Sequence, residues 1–121
     1  MTNVDPKRGE IWNINFDKTR GDEISHPHPA LVMNIADAGR LKLRMVVPIT
    51  TGNPGFNRHF WMVGIRANAT NGLDHDSFLD TFQLKSVSLD RFQYRRGHIT
   101  SKKLLNDVLA AIAICIGIKA Q

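Results

Sequence analysis

His26 and His28 stand two residues apart where a polar, proline-punctuated stretch, GDEISHPHP, runs into the apolar segment ALVM. Three readings are open to such a pair. Two imidazoles can share the work of proton transfer, because histidine titrates close to neutral pH. They can begin a metal site, since i and i+2 lie on one face of an extended segment. Or they are two loop residues with no chemical role. The metal reading lacks further ligands. The single cysteine, Cys115, sits in an apolar run, and His59, His75 and His98 are scattered along the chain. No metal and no other cofactor is expected.

Other residues carry chemistry suited to a polyanion. Arg20 lies in the long polar loop, where it meets a phosphate or is simply solvated. FNRHF, residues 56–60, interleaves aromatic and basic side chains after a turn. Arg58 and His59 there suit a clamp on single-stranded bases, while Phe60 reads as core. RFQYRRGH, residues 91–98, is a basic run that either touches nucleic acid or forms a solvated face.

The elements that position these groups follow from periodicity. In GEIWNINF, Trp12, Ile14 and Phe16 share one face of a strand, with Ile11 on the other. ALVMNI reads as a short buried strand. LKLRMVVPIT places Leu41, Leu43 and Met45 on one face and Lys42 and Arg44 on the other. HFWMVGI and SFLDTFQLKSVS have strand composition, and Asn71-Gly72 reads as a hairpin-type turn. ADAGR and TGNPG read as turns. The C-terminal stretch changes period. Leu104, Leu105, Val108, Leu109, Ile112, Ala113 and Ile116 make the wide apolar face of a helix, with Thr100 or Ser101 to cap it and Gly117 to help end it. The expected fold is mainly β with a C-terminal helix, a small curled sheet or barrel of about five to seven short antiparallel strands.

The chain has 121 residues and reads as one domain, 1–121. Its net charge of +5 is spread along it: 8 basic against 6 acidic residues in 1–60, and 8 against 5 in 61–121. This favours polyanionic partners without marking a basic tail. The polar N-terminus lacks the layout of a signal peptide. VLAAIAICIGI is too short to span a bilayer. A cytoplasmic protein without a membrane partner is expected.

The order of segments RGEIWNINFDKTRGDE, HPALVMN, VVPITTG and GLDHDSF…FQLKSVSLDRF resembles the MazF/PemK/Kid type of toxin, over roughly Arg8 to Ile118. The resemblance implies an SH3-like barrel, a homodimer, a cognate antitoxin protein, and metal-independent cleavage of single-stranded RNA by its 2′-hydroxyl. It carries catalytic roles to Thr50, His28 and Lys85, and RNA contacts to Thr51, Glu23 and Gln83, beside Arg20, His26, Arg58 and His59. The family arginine before the strand proline is His28 here. The aspartate and arginine of its DQxR segment fall on Phe82 and Lys85. An arginine is a fixed cation with a rigid fork of donors, whereas a histidine moves protons. The alternative is a non-catalytic member of the same fold that dimerises and binds nucleic acid or protein. A gyrase-directed poison would need a C-terminal tryptophan, which ICIGIKAQ lacks.

Overall fold

The structure, a computed structural model, describes residues 4–36, 40–52, 55 and 58–119. The turns read at ADAGR and TGNPG lie partly outside these residues, and Phe56 lies wholly outside them.

Among the described residues the chain forms seven strands and one helix. The strands are β1 (Glu10–Asn15), β2 (Pro27–Val32), β3 (Leu43–Thr50), β4 (Met62–Ile65), β5 (Ser77–Asp80), β6 (Lys85–Ser88) and β7 (Phe92–His98), followed by α1 (Lys102–Cys115). They pair in the order β4-β5-β3-β2-β1-β7, with β6 also on β3. All of these pairings are antiparallel. β3 is shared: Leu43–Val46 pairs with β6, and Ile49 and Thr50 pair with β5. The sheet therefore divides along this strand and curls, as the sequence pattern predicts.

Both faces of the sheet are buried. Ile11, Leu31, Val47, Ile49 and Leu79 pack with Val108 of α1 on one face. Trp12, Ile14, Phe16, Ala30, Val32, Val46, Val87 and Phe92 make the other. The split of Ile11 from Trp12, Ile14 and Phe16 is the alternation legible in β1. Each fully buried aliphatic side chain contributes about 1.5–3 kcal/mol relative to exposure. Ser101 caps α1, its Oγ accepting from the Leu104 amide at 3.1 Å. Gly117, at φ +88°, ends it, and the Ile118 amide returns to the Ala113 carbonyl at 2.8 Å.

The alternation read over 41–45 holds, and the structure decides its direction: Leu41, Leu43 and Met45 are exposed, and Arg44 is 6% exposed. The Arg44 guanidinium is buried because it finds acceptors on every side. It donates to the carbonyls of Pro6, Leu41 and Leu43 and to Asp5 Oδ1, at 2.8–3.1 Å. Together these pin the N-terminal segment to β3. Hydrogen bonds from Lys7 and then from Arg44 hold the Asp5 carboxyl below its ordinary range.

Phe60, read as core, is half exposed. SFLDTFQLKSVS is two strands broken by a 3-10 turn at Thr81–Gln83, and the basic run 91–98 is edge strand β7. Asn71-Gly72 is not a two-residue hairpin loop. It sits inside the longer connection 66–76 between β4 and β5, where the Gly72 amide donates to the Asn68 carbonyl.

Candidate active site

β2 begins at Pro27, three residues earlier than the apolar run suggests, so His28 is a strand residue opposite Ile14 rather than a loop residue. Its Nδ1 lies 3.3 Å from the Ile49 carbonyl oxygen of β3. A carbonyl only accepts, so this contact needs a proton on Nδ1, and in the neutral ring the lone pair is then on Nε2. His28 lines a cleft of about 170 Å³ together with Thr51, Asp74, His75, Ser77 and Arg96.

The far wall of this cleft is built by a close backbone approach. A Cβ at Gly72 would meet the Arg96 carbonyl oxygen at 2.1 Å, and one at Gly97 would meet the Thr70 carbonyl oxygen at 2.2 Å. Gly72 also has φ +69°, where a side chain strains the backbone. Only glycines let the 66–76 connection lie directly on β7. Asn71, 3% exposed, organises the turn: its Oδ1 accepts from the Asn68 and Leu73 amides, and its Nδ2 donates to the Arg66 carbonyl. This docking holds Arg96. Its Nε and Nη2 donate to the Gly72 carbonyl at 3.1 and 2.9 Å, and Nη2 meets Asp74 Oδ2 at 3.0 Å.

The residues singled out in the sequence disperse into three places. His28 and Thr51 share the cleft, with Thr50 half-buried beside it and paired to Phe78. Lys85 and Glu23 line a different pocket with Phe16, Lys18 and Arg91, and Lys85 Nζ lies 5.7 Å from the centre of the Phe16 ring. Glu23 closes its own loop, Oε1 accepting from the Arg20 amide at 2.8 Å, and Arg20 is exposed. His26 does not join His28. It precedes the strand with φ +64°, is exposed, and pairs with Asp17 Oδ1 through its backbone amide at 3.0 Å.

Arg58 is exposed next to an aromatic cluster. In it, His59 stacks on Trp61 at 4.4 Å, with Phe60 and Phe82 edge-on to Trp61. Gln83 ties the β1–β2 loop down: its Oε1 accepts from the Ile24 amide at 2.6 Å, and its Nε2 donates to the Asp22 carbonyl at 3.2 Å. Asp80 beneath it is buried, and desolvation holds its carboxyl above the usual range.

Asp74, His75, Ser77 and Arg96 were not picked out from the sequence as site residues. Their only signal was His75 between two aspartates in GLDHDS and the arginine pair in β7, neither with a spacing that relates them to His28. No group of three or more His, Cys, Asp or Glu side chains suited to a metal ion occurs among the described residues.

The molecule is a curled antiparallel sheet closed by a C-terminal helix, and the chain belongs to the PemK-like, MazF-like toxins of type II toxin-antitoxin systems, whose family model matches residues 7–116. It is similar to Endoribonuclease PemK of Escherichia coli, 29% identical over 115 residues that cover 90% of this chain and 80% of the relative. It is also similar to Endoribonuclease MazF9 of Mycobacterium tuberculosis, 26% identical over 104 residues covering 81% and 86%. Among solved structures, MazF from Deinococcus radiodurans superposes with a TM-score of 0.79 at 19% identity, over 96% of this chain and 100% of that one. A mycobacterial endoribonuclease in complex with its cognate antitoxin does so at 0.74 and 15% identity, covering 97% and 100%. These likenesses establish the fold.

Proposed function

We propose that this chain is the toxin of a type II toxin–antitoxin pair, one domain that cleaves single-stranded RNA without a metal ion, by attack of the 2′-hydroxyl on the adjacent phosphate. The observation that carries the chemistry is the His28 Nδ1 contact to the Ile49 carbonyl, which in the neutral ring leaves Nε2 as the proton acceptor of a residue that lines the cleft with His75 and Arg96. Family membership over residues 7–116, and relatives named endoribonucleases, support the substrate class. His28 takes the 2′-hydroxyl proton, and Thr50 and Thr51 offer hydroxyls to the phosphate. The aromatic cluster around Trp61, with Arg58, supplies a stacking surface for unpaired bases.

An exposed apolar patch supports assembly. Ile35, Leu41, Leu43, Met45 and Leu109 surround a groove of about 500 Å³. A monomer does not leave such a surface in water without cost, and a homodimer that also receives a cognate antitoxin accounts for it. No helix among the described residues is long and apolar enough to cross a membrane. A cytoplasmic site of action fits an RNA substrate.

The purified chain, incubated with single-stranded RNA in EDTA, should give fragments ending in 2′,3′-cyclic phosphate and 5′-hydroxyl, and His28→Ala should abolish them. Dimerisation and RNA binding without any cleavage would replace this reading with that of a non-catalytic binding module. Cleavage that needs one specific ion would overturn the mechanism.

A further inference from the structure

We infer that the second proton-transfer group of this cleft is His75, not the sequence neighbour His26, and that Arg96 is its fixed cation; the inference rests on the ribonuclease reading above. Metal-free cleavage needs a base at the 2′-hydroxyl, an acid at the leaving oxygen, and a cation at the phosphate. His28 meets the first need. His26 is pointed elsewhere and engaged with Asp17. His75 is the other histidine that lines the cleft. It is exposed to solvent, but its backbone is anchored on its C-terminal side. The Ser77 hydroxyl donates to the His75 carbonyl at 2.7 Å, and Asp76 Oδ1 accepts from the Ala67 amide at 2.8 Å. A side chain on so anchored a backbone can be aimed, as an acid must be.

Arg96 answers the missing arginine of β2. Its side chain is 14% exposed, its Nε and Nη2 are committed to Gly72 and Asp74, and among the described residues Nη1 has no partner. A guanidinium held by one edge presents its other edge to a phosphate at any working pH. The titratable and charged groups facing His75 and His28 across the cleft are Asp74 and Arg96.

The reaction balances with these groups alone. The 2′-oxygen bonds to phosphorus as its proton passes to His28 Nε2. The bond from phosphorus to the 5′-oxygen breaks, and that oxygen takes a proton from the His75 imidazolium. The products are a 2′,3′-cyclic phosphate and a 5′-hydroxyl. One proton is gained and one lost, and exchange with water resets both rings.

The test uses the full chain and its own cleavage site, mapped first on a long single-stranded RNA. An oligonucleotide carrying that site is made with its 5′-bridging oxygen replaced by sulfur, so that the leaving thiolate needs no proton. On unmodified RNA, His75→Ala should lower kcat by on the order of a hundredfold. On the sulfur-bridged oligonucleotide the same variant should recover to near the wild-type rate, which also shows that it folds. His28→Ala should stay inactive on both, and Arg96→Gln should lose activity on both. Equal loss by His75→Ala on both substrates, or full activity on unmodified RNA, overturns the role of His75 and leaves the ribonuclease reading standing. A wild-type chain that cleaves neither substrate overturns both.

Discussion

Gln83 donates its side-chain amide to Asp80 Oδ2 at 3.0 Å, while its carbonyl oxygen holds the Ile24 amide of the β1–β2 loop. One side chain thus connects a buried carboxylate to the loop that approaches the site. Asp80 is 5% exposed, and its Oδ1 has no hydrogen-bond partner among the described residues. Desolvation raises its pKa, and the hydrogen bond from Gln83 offsets only part of this.

The linkage that follows has a definite sign. A carboxyl whose folded pKa lies above its unfolded value of 3.8 destabilises the fold when ionised, so its contribution improves as pH falls from the raised value toward 3.8. Asp80→Asn removes the charge but keeps an acceptor for Gln83. It should raise the melting temperature at pH 7, by roughly 4 °C for a gain of ~1 kcal/mol. The advantage should vanish near pH 4. Melting curves of variant and wild type from pH 4 to 8, compared as differences, would refute this if the gap stayed constant.

His28 separates proton transfer from simple charge. His28→Ala should reduce cleavage by ~100-fold or more. His28→Arg restores the cation of the family pattern but removes the proton acceptor. Its activity should match that of His28→Ala in single-turnover assays. Wild-type rates in the His28→Arg variant would assign His28 a purely electrostatic role.

The glycine contact beneath Arg96 should be intolerant of any side chain. Gly97→Ala forces a methyl to within 2.2 Å of the Thr70 carbonyl oxygen, and backbone there cannot yield as a flexible side chain would. The expected cost is ~3 kcal/mol or more in urea denaturation. Gly21→Ala serves as the comparison: its Cβ would meet nothing within 4 Å, so only its φ of +57° resists the change. Its cost should be about 1 kcal/mol. Equal costs for the two would mean that the close approach does not carry the penalty.

The exposed face of β3 should govern assembly. Leu43→Glu with Met45→Glu places two carboxylates on an apolar surface while leaving the buried Arg44 network untouched. Light scattering should then report a monomer where the wild type is a dimer, with the melting temperature of the isolated chain little changed. A monomeric wild type at micromolar concentration would remove the assembly reading.

What was legible in the sequence was whatever repeats along the chain. Ile11 against Trp12, Ile14 and Phe16, the helical stripe through Val108, the Ser101 cap and the Gly117 terminator are each set within a few residues, because pleat and helix periods are local. The order of segments also carried the family, and with it His28. Local pattern does not say which face of a strand turns inward. In β3 the alternation was legible but its direction was not: Arg44 turns inward because it finds acceptors in Pro6 and Asp5, remote in sequence. Nor does pattern say which loop lies on which strand. His75 and Arg96 line one cleft with His28 because Gly72 and Gly97 let two backbones touch, a contact between distant segments that leaves no periodic trace.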